Sequence, residues 1–206
     1  RNLQETSLSD KKFLVDNSFL TTSLSLEVKK SFYESLERIR MAGATINEIT
    51  IDEFTKASSL ASTIFPFEAY KSWKGVIEKN PDKMYSPILL RFRGGLEIDP
   101  KNYANSWKEL KNLRKSFSNK IHGFDALLSP TCPILPPEVK DLLEDEDYYT
   151  KCNLLSLRNT RLANMLGLTS ITIPTEKNSC GLMLLAKPQH EQTILHAAKS
   201  LENLNR

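Results

Sequence analysis

Residues 124–133 read FDALLSPTCP, a compact apolar run followed at once by a segment with two prolines. The run Phe124–Leu128 predicts a buried β-strand. Ser129–Pro133 is not expected to continue as regular structure, because each proline fixes φ and removes a backbone donor. We therefore predict a short strand that ends in a rigid loop.

A β-α-β unit is predicted in the first fifty residues. Lys12–Val15 is a short apolar run, and Ser25–Met41 repeats apolar residues near helical spacing before Gly43, which suits a left-handed helix end. Ala44–Ile51 alternates isoleucines in the manner of a strand. Such a unit joins parallel strands, so the sheet is expected to contain at least some parallel pairing.

Two long helical segments are predicted between this unit and the 124–133 stretch. Asp52–Lys79 has a helical pattern, and Pro66 is expected to end or kink it. Tyr103–Ile121 is the second helical run, with Asp99 placed to cap its beginning and Gly123 to end it.

The C-terminal part predicts two adjacent strands, Thr169–Ile173 and Gly181–Ala186, and a closing helix, Glu191–Leu204. The apolar face of this helix is formed by Ile194, Leu195, Ala198 and Leu201. Before the strands, Arg158–Leu166 has the pattern of a helix end, and the acidic run Glu144–Asp147 is interpreted as a solvated linker or a helix start. A single α/β domain over residues 1–206 is the resulting prediction.

Composition excludes several classes of protein. With 40% hydrophobic and 26% charged residues among 206, the chain is typical of a soluble globular protein. Its net charge of +3 is spread along the sequence and does not indicate a nucleic-acid partner, and no apolar stretch is long enough for a membrane span. Cys132, Cys152 and Cys180 are scattered, so neither a disulfide framework nor a metal site is predicted, and the cytoplasm is the expected location.

The residues by themselves do not indicate a complete hydrolytic site. The sequence has no Gly-x-Ser-x-Gly elbow and no His-Glu-x-x-His helix. Structural roles are favoured for His122, His190 and His196, because a catalytic base also needs a positioned nucleophile. Cys132 can be read as a nucleophile, but without a basic neighbour or a helix N-terminus to activate it, a small packed thiol is favoured.

Five segments resemble, in order and spacing, the C-terminal half of the amidase-signature family. The first is the stretch at 124–133. The others are residues 164–175 (NMLGL, then ITIPT after two residues), 181–184 (GLML), 191–195 (EQTIL), and the upstream trio Arg91, Gly95 and Tyr103. The resemblance extends from about residue 12 to residue 203. It implies an α/β fold in which a mixed sheet is covered by helices, as in the C-terminal part of the amidase-signature fold.

The resemblance also implies where the chemistry lies. Family members hydrolyse amides with a Ser-Ser-Lys triad in the N-terminal half, held by a Gly-Ser-rich loop that has no counterpart among these residues, which include only 7 glycines. The chain also begins at Arg1 rather than at a methionine. We therefore expect residues 1–206 to be the C-terminal segment of a longer amidase, without catalytic residue, metal or cofactor of its own, and inactive alone.

The expected partners follow from the same interpretation. They are a small amide substrate, the N-terminal half of the same protein, and a second copy of the chain, because missing neighbours would leave sheet edge and apolar surface uncovered. Neither nucleic acid nor a membrane is expected as a partner.

Candidate residues for the substrate pocket are likewise implied by the resemblance. Arg91 is similar to an arginine that holds a substrate carboxylate in some relatives, and the alternative is an ion pair with an acidic neighbour such as Glu97. Thr131, Cys132 and Pro133 are candidates for the pocket wall, or else form a stiff connector without ligand contact.

Leu157 is the fifth pocket candidate and bears on the type of enzyme. It lies seven residues before Asn164. At the position of Leu157, relatives that use glutamine as substrate for the tRNA-dependent amidotransferase carry an aspartate that binds the substrate ammonium group. Leucine cannot make that ionic contact. The resemblance thus favours an amidase acting on a small non-peptide carboxamide over the A subunit of the amidotransferase, and a non-catalytic scaffold or partner-binding relative is a third alternative.

Overall fold

The computed structural model describes residues 3 and 5–204, and its strands and helices follow one another between Lys12 and Leu204. The strands are β1 (Lys12–Asp16), β2 (Thr45–Ile49), β3 (Ala126–Pro130), β4 (Thr169–Pro174) and β5 (Gly181–Ala186). The helices are α1 (Leu26–Met41), α2 (Asp52–Ile77), α3 (Ser86–Arg93), α4 (Pro100–Lys120), α5 (Val139–Glu144), α6 (Glu146–Ser156), α7 (Arg158–Leu166) and α8 (Glu191–Leu204). Short 3₁₀ helices occupy Pro81–Lys83 and Gly94–Glu97.

The five strands form one mixed sheet in the order β2-β1-β3-β5-β4. β1 pairs in parallel with β2 and with β3, whereas β5 pairs antiparallel with β3 and β4. The parallel pairing predicted from the β-α-β unit is therefore confirmed. β3 lies at the centre, and all five of its residues are buried.

Helices cover this sheet on both faces. Because successive side chains of a strand point to opposite faces, β1 supplies Phe13 and Val15 to a core shared with α1 and α8, and Leu14 to a core shared with α2, α4 and α7. The predicted fold class, an α/β fold with a mixed sheet covered by helices, is confirmed.

β3 begins and ends two residues later than predicted, and the assignment of Ser129 and Pro130 to a rigid loop was wrong. The amide of Thr131 donates to the carbonyl of Gly181 at 2.9 Å, on the β5 side. Since backbone N–H groups alternate in direction along a strand, the nitrogen of Pro130 faces the other side, where pairing with β1 ends at Leu128. The missing donor of the proline therefore costs the sheet no hydrogen bond.

α2 runs through Pro66 as one helix, so of the two predicted outcomes, an end or a kink, the helix end was wrong. The 3₁₀ helix Gly94–Glu97 lies against the helix at this point. A Cβ added to the buried Gly95 would stand 2.2 Å from the backbone oxygen of Pro66 and 2.9 Å from Cβ of Tyr70. Only a glycine allows so close an approach, and the approach brings α3 against α2.

A buried carboxylate ties the first turn of α2 to α4. Glu53 is 6% exposed and accepts hydrogen bonds from Ser116 Oγ at 2.6 Å and from Lys120 Nζ at 2.7 Å. Burial alone would raise the pKa of Glu53, but the bonds from Lys120 and Ser116 outweigh it and the pKa is lowered. α2 and α4 are fixed against each other by this contact.

Several of the remaining elements match the predicted ones, with one correction on α8, whereas α3 and α5 have no predicted counterpart. Asp99 caps α4 as predicted, accepting from the amide of Lys101 at 3.0 Å. Residues 139–156 form α5 and α6, and Asp145 caps α6, so the acidic run marks a helix start.

On α8, Leu195 is 37% exposed, and Ala197 is buried in its place on the face toward the core. Among the described residues, no helix combines the length and apolar content needed to cross a bilayer.

Replacement of Gly95 by alanine tests the contact between α2 and the 3₁₀ helix. The added methyl group would meet backbone atoms that cannot rotate away, and overpacking of this kind typically costs about 1–3 kcal/mol. We expect Gly95→Ala to lower the free energy of unfolding by that amount in urea denaturation followed by circular dichroism. Gly94→Ala is the matched control, because Gly94 has helical dihedral angles and no heavy atom within 4 Å of an added Cβ. Equal stability of the two variants would contradict the contact.

Candidate functional site

A cleft of about 870 Å³ opens between α2, α3, α6 and α7. Its lining residues are Ser58, Ala61, Ser62, Phe65, Pro66, Ala69, Pro87, Leu90, Arg91, Phe92, Glu146, Asp147, Thr150, Leu154, Leu157, Thr160, Arg161 and Asn164. Its volume falls within the range of small-molecule sites. Most of its wall is apolar, and the cationic side chains among its lining residues are Arg91 and Arg161.

Arg91 is held by one edge of its guanidinium group. Nη1 donates to Oδ1 of Asn153 on α6 at 2.9 Å. Nη2 is buried and has no hydrogen-bond partner. No carboxylate of the described residues lies within 4.0 Å of the side chain, so the alternative ion pair with Glu97 is not formed. A charged donor is therefore left unsatisfied beneath the wall of the cleft, with almost no exposed surface of its own.

Arg161 projects from α7 into the same cleft. Its one hydrogen bond among the described residues runs from Nη2 to the carbonyl of Leu154 at 3.4 Å, which is long for such a bond. Burial lowers the pKa of Arg161, and the positive charge of Arg91 lowers it further. The two guanidinium groups thus repel each other, and neither has an acidic partner within the described part of the chain.

Leu157 joins α6 to α7 and lies in the cleft with both arginines. It is 45% exposed, although leucine is an apolar residue. Leu157 and Arg161 are four residues apart at the beginning of α7, a spacing that places side chains on the same helix face. The structure therefore brings together two of the five predicted pocket residues, Arg91 and Leu157.

The other three, Thr131, Cys132 and Pro133, do not line the cleft. They follow the C-terminal end of β3, where the hydroxyl groups of Thr131 and Thr172 lie 3.0 Å apart. The carbonyl of Pro133 accepts from the amide of Ser25 at 2.9 Å, next to the start of α1. These contacts fit a connector between strand and helix, and the role of the three residues as a pocket wall stays a prediction.

The buried side-chain amide of Asn159 links the C-terminal end of β3 to the cleft. Asn159 on α7 is fully buried, and its Nδ2 donates to the carbonyl of Pro130 at 2.8 Å, to that of Leu20 at 3.2 Å and to Ser129 Oγ at 3.2 Å. Its Oδ1 accepts from Nε of Arg158 at 3.1 Å. α7, which carries Leu157 at its start and Arg161 one turn later, is thereby fixed to the end of β3.

The sequence did not identify Arg161 or Asn153 as site residues. A signal for Arg161 was present, because it is one helical turn from Leu157 on a predicted helix. Asn153 has no such signal, since its contact with Arg91 joins positions 62 residues apart. Within residues 3 and 5–204, no group of three or more His, Cys, Asp or Glu side chains is placed to hold a metal ion.

Asn159→Leu tests the link between β3 and α7. The substitution keeps approximate shape but removes donors from buried carbonyl groups, each worth about 1–3 kcal/mol when left unsatisfied. We expect the free energy of unfolding to fall by about 2–3 kcal/mol in chemical denaturation. Asn105→Leu, at an exposed position of α4, is the control and is expected to stay within about 0.5 kcal/mol of the parent. A loss as small as that of the control would argue against the link.

Comparison with known proteins gives consistent matches. A family model described as Amidase matches residues 1–195. The A subunit of glutamyl-tRNA(Gln) amidotransferase from Prochlorococcus marinus (strain AS9601) is 26% identical over 217 residues, which cover 92% of this chain and 44% of that protein. 2-Amino-5-chloromuconic acid deaminase of Comamonas testosteroni is 32% identical over 118 residues, or 55% of this chain and 25% of that protein. The chain thus spans less than half the length of these two relatives.

Solved structures share the fold at low sequence identity. A crystal structure of an amidase aligns over 99% of this chain and 48% of its own length, with a TM-score of 0.79 and 20% identity. Selenomethionine-substituted allophanate hydrolase of Kluyveromyces lactis covers 100% of this chain and 34% of its own, with a TM-score of 0.84 and 15% identity. At such identities the likeness concerns the fold alone.

Proposed function

This chain belongs to the amidase family, and we propose that it is the C-terminal part of an enzyme that hydrolyses a small non-peptide carboxamide to a carboxylate and ammonia. The cleft between α2, α3, α6 and α7 carries the proposal, because it combines an apolar wall with a buried, unpartnered donor on Arg91. Pockets of this size with a few fixed polar groups are typical substrate sites.

In this proposal the reacting groups come from a preceding N-terminal half. The alignments with solved structures cover only 34–48% of the two proteins compared above, which agrees with a division of the family fold between two halves. Around the cleft, Phe65, Leu90, Leu154 and Leu157 expose large apolar side chains. Grouped exposed apolar side chains are typical of a surface that another part of a protein covers, and we assign that role to the N-terminal half.

The family contains more than one type of enzyme, and Leu157 supports our choice between them. Relatives at 22–26% identity are named as A subunits of glutamyl-tRNA(Gln) amidotransferase, which keeps that function as the second candidate. The exposed leucine in the cleft favours the amidase, because it offers no charge to an ammonium group. A non-catalytic scaffold is the third candidate, and it requires that the upstream reading frame lack the lysine and the Gly-Ser-Ser loop.

Two further expectations belong to the proposal. The isolated chain is expected to associate weakly with itself, since β2 and β4 are the edges of the sheet and apolar side chains surround the cleft. A cytoplasmic location stays a prediction from the scattered cysteines, which are all free in the structure.

Ammonia release separates these candidates. We expect the complete encoded protein to release ammonia from members of a panel of aliphatic and aromatic carboxamides, and residues 1–206 alone to release none, because the catalytic groups are assigned to the other half. A coupled glutamate dehydrogenase assay measures the product. Turnover by residues 1–206 alone would contradict the assignment of the catalytic groups to the N-terminal half. No turnover of any amide by the complete protein would favour the non-catalytic scaffold.

Leu157→Asp tests whether this position selects the substrate. The new carboxylate gives an ammonium group a partner worth about 1.5–3 kcal/mol, or roughly 10–100-fold in kcat/KM. We therefore expect the variant of the complete protein to gain glutamine hydrolysis relative to its best amide substrate. Leu157→Met is the control and should leave the preference unchanged. An unaltered ratio in Leu157→Asp would remove this position from the substrate pocket.

A further inference from the structure

We propose that Arg161 is a specificity-determining residue which, together with Arg91, holds an anionic group of the substrate, so that the amide hydrolysed is one that carries a carboxylate. This inference rests on the proposed function and names the substrate class for the same cleft. It predicts preference for acidic carboxamides over neutral ones of the same length.

The first observation is the unsatisfied edge of Arg91. Asn153 binds Nη1 and fixes the plane of the guanidinium group, while Nη2 stays buried without an acceptor. Leaving a buried charged donor unpaired is costly, and a guanidinium group presents its nitrogens in a fork that matches the two oxygens of a carboxylate. Nη2 has almost no exposed surface, so an acceptor in the cleft would reach it only after a small shift of the guanidinium group or of the side chains that cover it.

The second observation is the position of Arg161. It belongs to a different helix from Arg91, yet both line one cleft, and the charge of Arg91 adds to burial in lowering the pKa of Arg161. Like charges in a half-buried apolar setting repel each other strongly because screening by water is weak there. One anion between them would offset the repulsion and pair with both guanidinium groups at once. A single arginine would give the same anion only one cationic partner.

No carboxylate among the described residues pairs with either arginine of the cleft. Glu146 and Asp147 also line the cleft, but they lie in the first turn of α6, and neither comes within 4.0 Å of an arginine nitrogen in the described residues. Carboxylates at the start of a helix are stabilised by the helix dipole and need no arginine. The contact of Arg161 with the carbonyl of Leu154, at 3.4 Å, does not neutralise its charge.

The apolar part of the cleft limits what carries the carboxylate. Phe65, Leu90 and Leu157 present carbon surface beside the two arginines. They suit a hydrocarbon segment rather than a second polar group near the first. The substrate class that fits is a monoamide of a dicarboxylic acid, with its carboxylate toward Arg91 and Arg161 and its amide toward the N-terminal half.

The test compares two amides in the complete protein and in the variants Arg161→Gln and Arg161→Lys. Succinamate carries a carboxylate, and butyramide has a methyl group in its place at the same chain length. For Arg161→Gln we expect kcat/KM on succinamate to fall about 10–100-fold, mainly through KM, since one charge-assisted contact is lost. Activity on butyramide is expected to stay within about three-fold, and Arg161→Lys should restore part of the loss.

Arg40→Gln is the matched control. It also removes one arginine, but on α1, where Arg40 pairs with Glu37 and Glu48 on the other side of the sheet. We expect it to leave both substrates unaffected. Thermal unfolding of each variant distinguishes loss of a contact from loss of the fold. Equal loss on succinamate and butyramide in folded Arg161→Gln, or no loss on either, would overturn the inference.

A binding measurement separates this inference from the proposed function. Succinate titrated calorimetrically into the complete protein is expected to bind in the parent and to bind at least about ten-fold more weakly in Arg161→Gln. If no amide is hydrolysed but succinate binding depends on Arg161, the proposed function fails and the anion subsite stands. If amides are hydrolysed but succinate binds equally to parent and variant, the subsite fails and the proposed function stands.

Discussion

The side-chain amide of Asn159 joins three parts of the chain that are far apart in sequence. Its donors reach the carbonyl groups of Leu20, 139 residues away, and of Pro130, 29 residues away. A buried carbonyl group without a partner would destabilise the fold, so the position of α7 relative to the end of β3 is strongly specified. The cleft depends on this contact, because α7 carries the residues that form one of its walls.

α7 is held at its other end as well. Nε of Arg114 on α4 donates to the carbonyl of Met165 at 2.7 Å, and Gly167 ends the helix with a φ of 66°. Burial lowers the pKa of the Arg114 guanidinium group, which remains charged at neutral pH. These contacts fix the backbone of α7, from which Arg161 extends into the cleft. The helix backbone is thus held where it presents Arg161 to the cleft that Arg91 also lines, and in our proposal this limits the rearrangement that binding of an anion requires.

The sequence predicted the main elements well because their signals are local. The apolar spacing of α1 and α8, the alternation in β2 and the cap at Asp99 all depend on residues a few positions apart. The prolines show where local rules stop. Pro66 lies inside α2 because neighbouring elements hold that helix, and Pro130 lies inside β3 because its nitrogen faces a side with no strand partner.

The sequence by itself determined the family and the fold class, because both follow from short segments with local patterns. Through the resemblance to that family it also pointed to Arg91 and Leu157, which line the cleft. Tertiary structure alone decided which residues accompany them. It brought Asn153 into hydrogen-bond contact with Arg91 and placed Arg161 in the same cleft. Thr131, Cys132 and Pro133 lie instead at the C-terminal end of β3. The physical reason is that α3 lies far from α6 and α7 in the chain, and contact between helices so separated depends on how whole faces fit together, which no local pattern records.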